Sequence, residues 1–123
     1  MPTKNILIAE DDSGISELMK IILEGENYHV LICAKGNEVL PMVKKHKPDL
    51  ILLDLWIPGI SGEELTRLLR SGPKTKKIPI LIVSAQNQLP ELIKKIGAND
   101  FISKPFDIKE FTAKVKKYSG SAK

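Results

Sequence analysis

Residues 49–59 read DLILLDLWIPG, and this stretch decides the fold. Leu50–Leu53 is a continuous run of large aliphatic residues, too short for a helix and without the alternation of a strand that has one wet face. Such a run fits a strand buried on both sides, as in a parallel sheet. It ends abruptly on Asp54, and Trp56-Ile57-Pro58-Gly59 turns the chain. Ser61 and Glu64 then stand at capping-box spacing, opening a helix whose inward residues are expected to be Leu65, Leu68 and Leu69.

The same unit recurs on either side. Upstream, Asn5–Ala9 (NILIA) reads as a strand, followed by Ile15, Leu18, Met19, Ile22 and Leu23 at helical spacing up to Gly25. His29–Cys33 (HVLIC) is a second strand. Its helix is expected over Asn37–Lys45, with Val39, Leu40 and Val43 inward and Pro41 near the first turn, where a missing N–H costs least. Downstream, Ile80–Val83 (ILIV) is a fourth strand. A helix starting near Pro90 carries Leu92, Ile93 and Ile96 and closes at Gly97. Phe101–Ser103 is a short fifth strand, and Asp107 and Glu110 open a last helix with Ile108, Phe111, Val115 and Tyr118 inward. The final SGSAK is expected to fray. Strand and helix alternate five times, which implies right-handed crossovers and a three-layer α/β domain.

The 123 residues fit one domain spanning 1–123. A single cysteine, Cys33 in an apolar setting, excludes an internal disulfide and suits a buried thiol in a reducing compartment. No apolar run reaches the roughly 20 residues of a membrane span, and the N-terminus lacks the apolar core of a signal peptide. These features point to the cytoplasm. The net charge of +4 comes largely from cations late in the helices or just past them: Lys44, Lys45 and Lys47, then Arg70, Lys74, Lys76 and Lys77, then Lys94 and Lys95, then Lys114, Lys116 and Lys117. Helix dipoles favour cations there. No aromatic residues are interleaved with them, which argues against nucleic-acid binding by this domain.

The polar residues at the strand ends carry the chemistry. Glu10, Asp11 and Asp12 follow the first strand, Asp54 ends the third, Ser84 the fourth and Lys104 the fifth. In an open parallel sheet the carboxyl ends share one edge, where ligands bind. Carboxylates crowded there repel one another, and a hard divalent cation, Mg²⁺ before zinc, relieves the repulsion. Lys104 and the Ser84 hydroxyl could each take a phosphoryl oxygen beside a carboxylate nucleophile. Each residue has a plainer reading taken alone: Asp11 or Asp12 as a helix cap, Asp54 as a turn residue, Ser84 as nearly uninformative and Lys104 before Pro105 as one lysine among many. The four strand ends together favour the site.

With these residues in view, the chain resembles the receiver domains of two-component response regulators over nearly its whole length. The segments that carry the resemblance are ILIAEDD, DLILLDLWIPGISGEEL, PILIVSA and GANDFISKPF. The resemblance implies a flavodoxin-like parallel sheet of order 2-1-3-4-5 with helices on both faces. It implies Asp54 as phosphoacceptor and Asp11 as a direct Mg²⁺ ligand. Glu10 would act through water, and the backbone carbonyl of Trp56 would complete the protein's share of the metal shell. Ser84 would be the switch hydroxyl, Lys104 the phosphate-binding lysine and Phe101 the switch aromatic, whose plainer reading is a core Phe. The implied partners are a histidine kinase or phosphotransfer protein and a downstream target or output domain. The implied role is a phosphoacceptor that assists its own chemistry rather than an enzyme in the usual sense.

Two departures stand out. Trp56 is large for its place beside the phosphoacceptor and, with Gln86, borders the path of hydrolytic water. The stretch from Ser84 to Gly97 is short for the family. Other readings are a receiver-like module that no longer takes phosphate and acts only as an interaction surface, and an aspartyl phosphatase. The phosphatase would need an acid two residues after the nucleophile, where Trp56 stands. A flavin carrier would need a phosphate-cradling loop in place of Glu10-Asp11-Asp12. No output domain lies within the 123 residues; a free-standing regulator and a piece of a longer protein fit equally.

Overall fold

The computed structural model describes residues 3–85 and 89–120. Gln86 and the last three residues of the SGSAK tail lie outside the described residues. The chain runs β1 (Asn5–Ala9), α1 (Ser13–Gly25), β2 (His29–Cys33), a 3₁₀ turn (Gly36–Glu38), α2 (Val39–His46), β3 (Leu50–Asp54), α3 (Gly62–Ser71), β4 (Ile80–Ser84), α4 (Leu89–Ile96), β5 (Asp100–Ser103) and α5 (Ile108–Ser119). The strands form one parallel sheet in the order β2-β1-β3-β4-β5, the order the resemblance implied.

Alternate residues of each strand face opposite layers. Leu7, Ala9, Ile51, Leu53, Ile80 and Ile82 pack with Val43, Leu65, Leu69 and Ile93, so α2, α3 and α4 cover one face. Ile6, Ile8, Leu50, Leu52, Leu81 and Val83 pack with Met19, Leu23, Phe111 and Val115, so α1 and α5 cover the other. Two covered faces are why the central strands read as unbroken aliphatic runs. Cys33 is buried, and that burial pushes its thiol up to about 11, out of reach of thiolate chemistry. No helix among the described residues is long and apolar enough to cross a membrane.

Local chemistry sets the helix ends. Asp12 and Asp107 accept the N–H groups of Ile15 (3.1 Å) and Glu110 (3.0 Å) at the starts of α1 and α5. Ser61 accepts from the Glu64 N–H at 3.2 Å, but the Glu64 carboxylate does not return the bond. It pairs with Arg67 at 2.7 Å, so only half of the expected capping box forms. The second helix starts later than expected. Pro41 has no N–H to give to the carbonyl of residue 37, so the α pattern begins at Val39, after the 3₁₀ turn.

Two residues expected inward face solvent: Leu68 is 38% exposed and Ile108 is 55% exposed. On α3 the buried stripe runs through Gly62, Leu65, Thr66 and Leu69, which turns Leu68 toward the edge of the helix. Ile108 is the first residue of α5; the stripe that meets the sheet is Phe111, Val115 and Ser119. Leu18 on α1 is likewise exposed, while Met19 and Leu23 are buried.

Arg70 does more than complement a dipole. Its guanidinium donates to the carbonyls of Gly97 (2.8 Å), Ile78 (2.8 Å) and Lys76 (3.1 Å) and to Asn99 Oδ1 (2.7 Å). It thereby ties the end of α3 to the entries of β4 and β5.

The β3–α3 loop is held by close backbone approaches. Gly36 N–H donates to Pro58 O at 2.7 Å, and Gly62 N–H to Leu55 O at 3.1 Å. A Cβ on Gly62 would stand 2.7 Å from Asp54 O and 2.8 Å from Leu55 Cα, both backbone atoms that cannot turn aside. Gly62→Ala is expected to cost about 1–3 kcal/mol by overpacking, read as a lower midpoint in urea unfolding.

Asp100 supplies a pH test. Burial pushes its carboxyl up, but the Phe101 N–H, the Tyr118 hydroxyl and the Lys114 ammonium outweigh it and hold the group below its ordinary value of 3.8. The stabilisation is present above that value and fades as pH falls through the lower folded value. Asp100→Asn should therefore lower the melting temperature at neutral pH, and the gap from the parent should narrow as the pH drops below about 4.

Candidate functional site

Register brings the polar strand ends level. Ala9 pairs with Leu53, so Glu10 and Asp54 come next on neighbouring strands. Asp54 pairs with Val83, one residue before Ser84, and Ser84 pairs with Ser103, one residue before Lys104. The Lys104 N–H donates to Ser84 O at 3.1 Å, which extends the β4–β5 ladder to the site. Glu10, Asp54 and Ser84 are buried, at 2%, 6% and 1% exposure, while Asp11 is exposed at the mouth.

The charges are arranged tightly. Lys104 Nζ donates to Glu10 Oε1 at 2.6 Å and lies 3.7 Å from Asp54 Oδ2. The other Glu10 oxygen accepts from the Asp12 N–H at 3.1 Å. Asp54 Oδ1 accepts from the Trp56 N–H at 3.2 Å. Burial raises the Glu10 carboxyl above its ordinary value of 4.5, and Asp54 pushes the same way, while Lys104 and the Asp12 N–H pull it back.

Carboxylate oxygens of Glu10, Asp11 and Asp54 lie within 4.8 Å of one another. Three carboxylates and one ammonium leave a charge of −2 in a half-closed cleft, which a divalent cation would balance. The donors are all hard oxygens, as Mg²⁺ requires. The set therefore fits the metal expected from the sequence.

Trp56 gives its N–H to Asp54, while its indole is 71% exposed beside the cleft. Phe101 is half-buried in β5 opposite Ile82. Lys114 of α5 stands 4.6 Å from the centre of its ring and donates to its carbonyl at 2.6 Å. Sequence reasoning placed Lys114 only among the cations of the last helix. Its grip on Phe101 arises from packing α5 against the edge strand, and no local motif announces it. The orientation of Glu10 by the Asp12 N–H was equally hidden, because Asp12 reads first as a cap.

The chain matches the model of the response regulator receiver domain over residues 6–116. It is 36% identical over 113 residues to the phosphate regulon transcriptional regulatory protein PhoB of Rhizobium meliloti, covering 90% of this chain and 50% of that protein. It is 34% identical over 115 residues to the DNA-binding response regulator MtrA of Mycolicibacterium paratuberculosis, with 92% and 50% covered. The chain thus spans about half the length of the curated relatives it matches. Among solved structures, the receiver domain of the sensor histidine kinase PA1611 of Pseudomonas aeruginosa superposes with a TM-score of 0.88 at 25% identity, over 98% of this chain and 100% of that one. That structure holds a magnesium ion in its active-site cleft. Sheet order, acidic cleft and matched sequence agree: the chain belongs to the response regulator receiver domains, the signal-receiving modules of two-component phosphorelays.

Proposed function

We propose that this domain accepts a phosphoryl group on the carboxylate of Asp54 and thereby switches a protein-binding face. The observation that carries the reading is the buried Asp54 carboxylate lying between Glu10, Asp11 and the Lys104 ammonium at one sheet edge. An Asp54 oxygen attacks the phosphorus of a phosphohistidine on a kinase or phosphotransfer protein. The P–N bond breaks, the imidazole leaves with a proton, and an acyl phosphate forms. Glu10, Asp11, Asp54 and the main-chain carbonyl of Trp56 would hold Mg²⁺, with Glu10 acting through water. The ion supplies charge neutralisation at the phosphoryl oxygens. Lys104 moves from Glu10 to a phosphoryl oxygen, and the Ser84 hydroxyl takes another.

Withdrawal of the Ser84 side chain toward the phosphate opens space beside β4, and Phe101, on the neighbouring strand, turns into it. That turn takes the ring away from the Lys114 ammonium and alters the face made by α4, β5 and α5. Phe101 has no hydroxyl, so a partner cannot hydrogen-bond to it as it could to a tyrosine. The domain acts as a cytoplasmic switch that assists its own phosphorylation and dephosphorylation, and not as a turnover enzyme. Its partners are the donor and a downstream protein or output domain, with nucleic-acid contact, if the whole protein has any, lying outside this domain.

Incubation with Mg²⁺ and acetyl phosphate should add one phosphate mass to the intact protein. Asp54→Ala and chelation of the metal should each abolish the adduct; steady release of inorganic phosphate from varied esters would instead indicate a phosphatase. Trp56, whose N–H bonds Asp54 and whose bulky side chain is exposed, is expected to slow attack by water on the acyl phosphate. Trp56→Asn should shorten the phospho-form lifetime, followed by the decay of the phosphate mass, and an unchanged lifetime would remove Trp56 from that role.

A further inference from the structure

At the end of the sheet opposite the phosphoacceptor, α2, α3 and the α3–β4 loop enclose a groove of about 800 Å³. Its floor and walls are apolar, formed by Leu40, Val43, Pro48, Leu68, Pro73 and Ile78. Leu68, the α3 residue that failed to enter the core, is part of this lining. The Thr75 hydroxyl on the wall is satisfied within the chain, donating to Leu69 O at 2.6 Å.

Cations surround it. Lys44 and Lys47 line one wall and Lys74 the other. Lys45, Lys76 and Lys77 lie within the same two segments, 40–48 and 68–78, which contain no Asp or Glu. All six lysines are exposed, and none forms an ion pair among the described residues. The nearest acid along the chain, Asp49, is turned away to accept the Asn5 N–H at 2.7 Å. Lys44, Lys45 and Arg70 already complement the C-terminal dipoles of α2 and α3, whereas Lys47, Lys74, Lys76 and Lys77 lie beyond those last turns.

An apolar trough between cationic rims is complementary to one chemistry. We infer that this groove binds an acidic protein segment that inserts bulky aliphatic side chains between α2 and α3, with its carboxylates reaching Lys44, Lys47 and Lys74. A nucleic acid would use the lysines but leave the apolar floor wet, and the groove offers no aromatic side chain on which a base could stack. The acidic segment uses both features. The site stands apart from the phosphoacceptor pocket and does not depend on its chemistry.

The test is an NMR titration of the whole 123-residue chain with a short helical peptide carrying Leu at i, i+3, i+4 and i+7 and Glu between them. Backbone shifts confined to residues 40–48 and 68–78, and binding that weakens with added salt, are expected. The triple variant Lys44→Glu/Lys47→Glu/Lys74→Glu should weaken binding at least about tenfold. Leu68→Ser, an exposed position that leaves the core intact, should weaken it separately; unchanged melting temperatures establish that both variants fold. The proposal fails if the shifts fall elsewhere or are absent, or if a Lys-for-Glu version of the peptide binds equally well. It fails also if a short DNA duplex displaces the peptide through the same residues, which would make the patch a nucleic-acid site. The same shifts appearing on concentrating the free protein would assign the groove to a second copy of the chain.

Discussion

Glu10 and Asp54 are two carboxylates buried side by side, and the single ammonium of Lys104 is the charge that makes the pair tolerable. Removing charged groups from water costs several kcal/mol each unless opposite charge and hydrogen bonds replace the lost hydration. Here the replacement is incomplete by design of the cleft: with Asp11 at the mouth, the charge does not balance without a divalent cation. The cleft therefore carries an excess of negative charge that a divalent cation would balance. The rest of the fold is the frame that holds these groups together against their repulsion.

That frame is rigid where it matters. Glu10, Asp54 and Ser84 leave the ends of strands β1, β3 and β4, whose aliphatic residues are buried on both faces, so these strand ends cannot drift relative to one another without breaking the core; Lys104 follows the edge strand β5. The loop after Asp54 is pinned by backbone contacts at Gly36 and Gly62. Arg70 fastens α3 to the starts of β4 and β5 at the far end of the sheet. The groups that could respond to a new charge are few: the Lys104 side chain, which already has two acidic neighbours to choose between, and Phe101, held from outside by Lys114.

The two ends of the sheet divide the chemistry by sign. The carboxyl ends gather acids, and the amino ends of β3 and β4 face a groove rimmed by lysine. Separation across the sheet lets both exist in a small domain, since charges this far apart are largely screened in physiological salt.

The residues by themselves determined the alternation of strand and helix, because continuous aliphatic runs and 3.6-residue periodicity are local signals. They also placed Glu10, Asp11, Asp54, Ser84 and Lys104 at strand ends, and parallel pairing made a common edge follow. The strand order came from resemblance to a family, not from any residue pattern. Local signals failed where a helix has more apolar residues than its buried stripe can hold, as at Leu68 and Ile108, since which of them meets the sheet depends on the helix's rotation and overhang. Only the tertiary structure decided that Lys104 rests on Glu10, that Lys114 caps the Phe101 ring, and that Arg70 is a clamp rather than one more surface cation. Each is a contact between elements distant in sequence, and a long flexible cation carries no local mark of the partner it will find.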